Sequence, residues 1–385
     1  MSRHRLAVLH WFPIEYYPPA TNLLTFLGSD EDRQVRGFTC RNTRDRAEYQ
    51  NESVPVSRCQ FPVKDLPRIH RLWRYLSYPL VTFIRLLAWR PDTVVYIEPH
   101  SAMPAFLYCL VAWRCRLLIH YHEYHDVEEF QQPGMRVVRF YYWLEKKYLY
   151  RRAEWISQTN EDRRRLFHQD HPQIDSAKLM ILPNYPPHAW HEAPQADWKT
   201  AEEGPLKLVY VGSISLHDTF VEPLVRWVEQ HARDVSLDIF SYNNDPKTHQ
   251  FLQASQGGNI RFHARGIAYD ELPDLLRRFH VGLILYRGNT RNYIYNASNK
   301  LFEYLAIGLD VWYPPQMLGV KPYANADSTP RVIETDFEQL DRIDLDRRRD
   351  RAGLPASTQV YCCEDALDPL QQRIEGTAEC GVERC

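Results

Sequence analysis

Short unbroken apolar runs alternate along this chain with longer stretches in which apolar residues recur every three or four positions. The runs at residues 5–10, 35–39, 93–98, 116–122, 155–158 and 178–182 read as strands. Helices are expected from about residue 21 and at 101–113, 135–152 and 161–168, with the turn-rich segment 11–19 as a loop. Parallel neighbours need a crossover connection, so strands alternating with helices predict a doubly wound parallel sheet.

Pro183, Asn184, Tyr185, Pro186 and Pro187 break this rhythm, and the polar stretch beyond them reads as a linker. The alternation then restarts. Strands are expected at 206–211, 235–241, 259–263 and 281–286, with a helix at 220–231. A final helix-strand unit spans 298–313. The expected organisation is α/β: two Rossmann-like domains, 1–186 and 206–345, joined by a linker at 187–205 and followed by a partly mobile extension at 346–385.

At 385 residues the chain can bury two cores of ordinary size. A formal charge of −2 removes the basic excess expected of a nucleic-acid binder. Cys40, Cys59, Cys109, Cys115, Cys362, Cys363, Cys380 and Cys385 form no C-x-x-C pair, which argues against a zinc site or a disulfide framework. Reduced thiols, no export segment and no stretch long enough to span a bilayer point to a cytoplasmic protein.

The most informative chemistry lies in the helix expected from Asn299. Ser298 or Asn299 can cap it, and Gly308 fits the left-handed position after its last turn. Lys300 and Glu303 stand one turn apart. Helix-start amides with a lysine suit a phosphate, and a carboxylate one turn on can accept hydrogen bonds from ribose. Most such pairs on helices are solvated decoration, so position in the fold decides between the two. Ligands of open parallel sheets bind at the carboxyl ends of strands. That rule selects Gly212 and Ser213 after one strand, and Arg287 and Tyr295 after another. Arg287 suits a phosphate or an acidic surface partner equally.

In the first domain, the strand 116–122 brings His120 and His122 to one face, with Glu123 on the turn beyond. No metal-ligand spacing is matched. A His/Glu pair beside a ligand hydroxyl fits better, and a purely structural His120 fits as well.

Taken together, the chain resembles a GT-B fold glycosyltransferase of the family 4 type. The resemblance rests on His122-Glu123, Ile181-Leu182-Pro183-Asn184, Val209-Tyr210-Val211-Gly212, Ile260-Arg261-Phe262 before Gly266, Glu271-Leu272-Pro273, and Asn299 to Gly308. It implies two domains facing a cleft, with donor on the second and acceptor on the first. A nucleotide-diphosphate sugar would be the donor, and a glycan or lipid-linked hydroxyl the acceptor. Transfer would retain configuration, with no metal and no cofactor. It assigns Glu303 to the ribose, Lys300, Asn299 and Ser298 to the diphosphate, and His122 with Glu123 to the reacting region. Phe12, Tyr16 and His120 fall on the acceptor side. Three departures stand against the pattern. Tyr295 replaces a second glutamate, Ser213 and His217-Asp218 replace a basic pair, and the first loop lacks paired glycines. They favour the alternative of a catalytically silent, glycosyltransferase-like binding subunit. A nucleotide-sugar isomerase fits less well, since no paired acid/base carboxylates suit it.

Residues 68–90 and 136–152 mix arginine and lysine with aromatic and aliphatic positions at helical spacing. Such stripes suit peripheral contact with an anionic membrane surface, here the inner face, or equally an ordinary helix packed on its sheet.

Overall fold

The computed structural model describes residues 3–42, 47–62, 67–131, 135–198, 200–201 and 204–376. The chain divides into two compact units, Met1–Asn184 with Cys363–Cys385, and Tyr185–Cys362.

The first unit contains strands β1 (His4–His10), β2 (Arg33–Cys40), β3 (Val56–Cys59), β4 (Thr93–Ile97), β5 (Arg116–His120), β6 (Trp155–Gln158) and β7 (Leu179–Ile181). They pair in parallel in the order β3-β2-β1-β4-β5-β6-β7. Its longer helices are α1 (Pro18–Gly28), α2 (Arg68–Trp89), α3 (Ala102–Val111), α4 (Arg136–Leu144) and α5 (Glu161–Asp170). Every residue of β4 is buried, as a parallel strand covered on both faces requires. The winding reverses between β1 and β4, and ligands of open parallel sheets bind at the carboxyl ends of strands at such a switch point.

Several boundaries differ from the sequence reading. The first helix starts at Pro18, because two prolines are well accommodated in a first turn. β5 ends at His120, where His122 leaves the ladder to bond a side chain instead. The helix expected over 135–152 is helical throughout but contains a π turn at Glu145–Leu149. That turn aims Glu145 into the core, where Tyr96 and Tyr121 each donate to its Oε1 at 2.8 Å.

The second unit contains β8 (Leu206–Val211), β9 (Val235–Phe240), β10 (Ile260–His263), β11 (Val281–Leu283), β12 (Asp310–Tyr313) and β13 (Val332–Glu334). Their order is β10-β9-β8-β11-β12-β13, again parallel throughout. Its longer helices are α6 (Val221–Gln230), α7 (Pro246–Ala254) and α8 (Asn299–Ala306).

The segment read as a linker does structural work in this unit. Gln195 Nε2, Ala196 N and Trp198 Nε1 donate to the carbonyls of Ala306, Ile307 and Gly308. These are carbonyls that a helix end leaves without internal partners, so the segment caps α8. The tail also departs from expectation. Cys363, Leu367, Leu370 and Ile374 bury one stripe of α9 (Cys363–Glu375), and Arg116 of the first unit donates to the carbonyls of Arg373 and Ile374 at 2.6 and 2.7 Å. The expected mobility of residues 377–385 concerns positions outside the described residues. Among the described residues Cys40, Cys59, Cys109, Cys115, Cys362 and Cys363 are buried, and no helix is long and apolar enough to cross a membrane.

Candidate functional site

Two constellations stand at the strand ends, one in each unit. In the first, β1 ends in His10, β4 runs into Glu98, and β5 ends in His120. Glu98 is the keystone, and its backbone adopts φ 67°, a conformation rare outside glycine. Its Oε1 accepts the backbone N–H groups of His122 and Glu123 at 2.8 and 2.9 Å, and its Oε2 meets His125 Nε2 at 2.8 Å. Burial alone would raise this carboxyl, but the bond and charge of His125 bring it down to about 2. Burial also opposes the charge on His125, yet Glu129 and Glu98 lift it to about 10. Sequence reading passed over Glu98 because a lone acid at a strand end carries no signature.

This anchored turn presents His122. Its Nδ1 lies 3.2 Å from His120 Nε2 and 3.3 Å from Asn184 Oδ1, while its Nε2 is buried without a partner among the described residues. Arg163, fully buried, donates to the His122 carbonyl at 2.7 Å. Rings of His10 and Tyr17 stand about the imidazole, with centroids at 6.1 and 6.3 Å. Burial is the main cause that depresses the pKa values of His10, His120 and His122, that of His10 to about 3, so the cluster is uncharged. Phe12 packs against His100 and Tyr17, and the Tyr16 hydroxyl bonds Asn42 Oδ1. Glu123 is half exposed and turns toward Arg163 at 3.5 Å.

In the second unit α8 begins without a side-chain cap, Ser298 making none. Lys300 and Glu303 are 8% and 4% exposed, so they are not solvated surface decoration. The Lys300 ammonium donates to the Tyr286 hydroxyl at 3.0 Å and sits 5.2 and 5.8 Å from the ring centroids of Tyr286 and Tyr210. Gly212 follows β8 at φ 126°, and a Cβ there would lie 2.6 Å from Lys300 Cε. Only glycine therefore lets the lysine cross the strand end. Asn299 Nδ2 donates to Glu303 Oε1 at 2.6 Å. Burial pushes the Glu303 carboxyl up to about 7, against the pull of Asn299 and Lys300.

The structure thus gathers Gly212, Asn299, Lys300 and Glu303, and adds Tyr286, which the sequence reading did not single out. Arg287 is engaged by other partners. Its Nε donates to Thr219 O at 3.1 Å, its guanidinium covers Phe220 at 4.4 Å, and Glu338 lies 3.5 Å away. Ser213 Oγ is bonded to Asn243. Tyr295 ends a short helical turn, Arg291–Ile294, and its carbonyl packs where Gly319 has no side chain. Among the described residues no group of three or more His, Cys, Asp or Glu could hold a metal ion.

Comparison with known proteins fits this geometry. Residues 29–185 match the family model of the glycosyl transferase 4-like domain. A search of curated proteins gives no match. Among solved structures, the sucrose-phosphate synthase of Thermosynechococcus elongatus is 14% identical over 98% of this chain and 100% of that one, with a TM-score of 0.64. HepE from Anabaena, in complex with UDP and glucose, is 12% identical over 97% and 99%, with a TM-score of 0.66. The N-terminal domain of Candida albicans trehalose-6-phosphate phosphatase is 10% identical over 98% of each chain, with a TM-score of 0.68. At these identities the structural likeness speaks for the fold. Residues 29–185 are thus similar to the glycosyl transferase 4-like domain, and the two Rossmann-like units have the fold of the GT-B type.

Proposed function

We propose that this protein transfers a hexose-type sugar from a nucleotide-diphosphate donor to a hydroxyl of a glycan or lipid-linked acceptor, with retention and without a metal. One observation carries the reading: Lys300 and Glu303 are buried together at an uncapped helix start, with Gly212 clearing the approach. Glu303 then accepts from the ribose hydroxyls. Lys300 and the first amides of α8 meet the diphosphate and stabilise it as a leaving group. His122 faces the sugar and the incoming hydroxyl. The test is release of nucleoside diphosphate from UDP-, GDP- and ADP-sugars by the pure protein. Slow hydrolysis of one donor is expected, and its absence with all three would remove the catalytic reading.

A second reading, a binding subunit without turnover, is favoured by Arg287, whose guanidinium is already engaged by Thr219, Phe220 and Glu338. Among the described residues, Lys300 is then the one buried cation at the candidate diphosphate site. Donor binding without diphosphate release would select this alternative.

The lipid-linked acceptor is supported by the outer face of the first unit. Ile69, Leu72, Trp73, Leu76, Leu80, Ile84 and Leu87 are exposed on α2, and Val137, Phe140 and Trp143 on α4. No Asp or Glu lies between Arg68 and Arg90, and the one acid of residues 136–152, Glu145, is fully buried. Lys147 lies 4.8 Å above the Trp143 ring. Apolar anchors with basic neighbours suit peripheral binding to an anionic cytoplasmic leaflet. Pelleting with phosphatidylserine vesicles, lost in Trp73→Asp/Trp143→Asp, is the expected result, and equal recovery in the supernatant for both proteins would reject this contact.

A further inference from the structure

The hydrogen bonds behind His122 run in one direction. Ser157 Oγ donates to the Ile119 carbonyl at 3.3 Å, which leaves its oxygen as an acceptor. His120 Nδ1 lies 2.9 Å from that oxygen and must carry the hydrogen between them. A neutral His120 then has only a lone pair at Nε2. This nitrogen is 3.2 Å from His122 Nδ1, so the hydrogen of that contact belongs to His122. The Asn184 carboxamide oxygen, 3.3 Å from the same Nδ1, asks for the same hydrogen. His122 is left with a bare Nε2, and that atom is the one buried without a partner among the described residues.

We propose that His120, held by Ser157, is a positioning residue that fixes His122 in the Nδ1–H tautomer and so presents Nε2 as a hydrogen-bond acceptor to a ligand hydroxyl. The proposal deepens the sugar-transfer reading and rests on it for the identity of the hydroxyl, which belongs either to the transferred sugar or to its acceptor. Two ordinary roles for a buried histidine explain less. A packing residue needs no polar partner at both nitrogens, and a metal ligand would not point one imidazole nitrogen at another. His120 has both nitrogens engaged, while His122, on the turn anchored by Glu98, keeps Nε2 without a partner among the described residues. A second tautomer of His122 would set its bare Nδ1 against the lone pair of His120 Nε2 at 3.2 Å and offer a hydroxyl no lone pair at Nε2.

The tautomer can be read without any substrate, from the nitrogen shifts and ring couplings of His122 in the 15N-histidine-labelled full chain near neutral pH. A protonated Nδ1 with a bare Nε2 is expected, and a protonated Nε2 in the wild type overturns the proposal. In His120→Leu the preference should weaken toward a mixture, and in His120→Gln, whose side-chain carbonyl can take the same hydrogen, it should return. Transfer by His120→Leu should fall roughly 10- to 100-fold in kcat, with rescue by His120→Gln. An unchanged donor KM places the hydroxyl on the acceptor, and a raised one places it on the transferred sugar. A wild-type tautomer and wild-type kcat in His120→Leu would overturn the positioning role. Since the spectrum is taken on the free protein, the expected tautomer without transfer to any acceptor would count against the enzyme reading alone.

Discussion

The two strand-end sites occupy the same place in two similar sheets, yet they are electrically opposite. At the end of β1, β4 and β5 the inward groups are imidazoles, and burial keeps them neutral. Charge in that unit is drawn back behind the turn, into the Glu98–His125 pair. At the end of β8 and β11 the order is reversed, and a lysine and a glutamate are themselves buried at the front. A neutral, aromatic recess with a free lone pair suits sugar hydroxyls. A fixed ammonium at a helix start suits a diphosphate. Under the proposed transfer, this difference in charge, and not the fold common to both, is what separates the roles of the two units.

The sharpest way to break this division is to remove His122. His122→Ala should lower kcat on the order of 100- to 10,000-fold while donor affinity falls far less, within about tenfold. Loss of donor affinity on the same scale, measured by calorimetry, would merge the two sites. The pair behind the turn comes next. Glu98→Gln takes from His125 one of its two counter-charges, leaving Glu129, and should cost about 3 kcal/mol of unfolding free energy, read by urea denaturation. The sign of its pH dependence follows from both partners. The depressed Glu98 supplies stability above about pH 4.5 that is lost as pH falls toward 2, and the raised His125 supplies stability below about pH 6.5 that is lost as pH rises toward 10. The gap between wild type and variant should therefore be widest between those limits, and a gap independent of pH would deny the ion pair.

Glu303 gives a smaller effect with the opposite character. Its carboxyl is held up near 7 by burial, and ribose hydroxyls need the ionised form as acceptor. Donor affinity should rise about tenfold from pH 6 to pH 8, a slope that Glu303→Gln abolishes. The stability contribution of the same group runs the other way, present below its ordinary range and lost as pH rises through about 7. Smallest of all is Arg287→Ala. With its guanidinium spent on Thr219, Phe220 and Glu338, its removal should shift donor affinity less than about threefold while lowering stability by about 1 kcal/mol.

Much of this was readable in the residues and some was not, for identifiable reasons. Central strands such as β4 and β8 are unbroken apolar runs, and the helix from Asn299 to its stop at Gly308, which has φ 82°, declares both ends locally. The edge strands β3 and β13 are short and only partly buried, so periodicity had little to register. α9 hides a regular buried stripe behind an internal Pro369 and many polar residues. The capping duty of Gln195 and Trp198 depends on a partner more than 100 residues away, beyond any local pattern. His122 and Lys300 could be singled out because His120 and Glu303 stand close to them in the chain. Glu98, Ser157 and Tyr286 act across strands, and nothing adjacent to them in the chain marks them.

The central claim is that the buried pair on α8 holds the donor's diphosphate and ribose. Isothermal titration of UDP-, GDP- and ADP-sugars into the wild type and Lys300→Ala tests it most directly. One base should bind the wild type, and the variant should bind it at least about 30-fold more weakly with its thermal stability retained, in line with loss of a charge-assisted contact. Equal affinity in the two proteins would contradict the assignment.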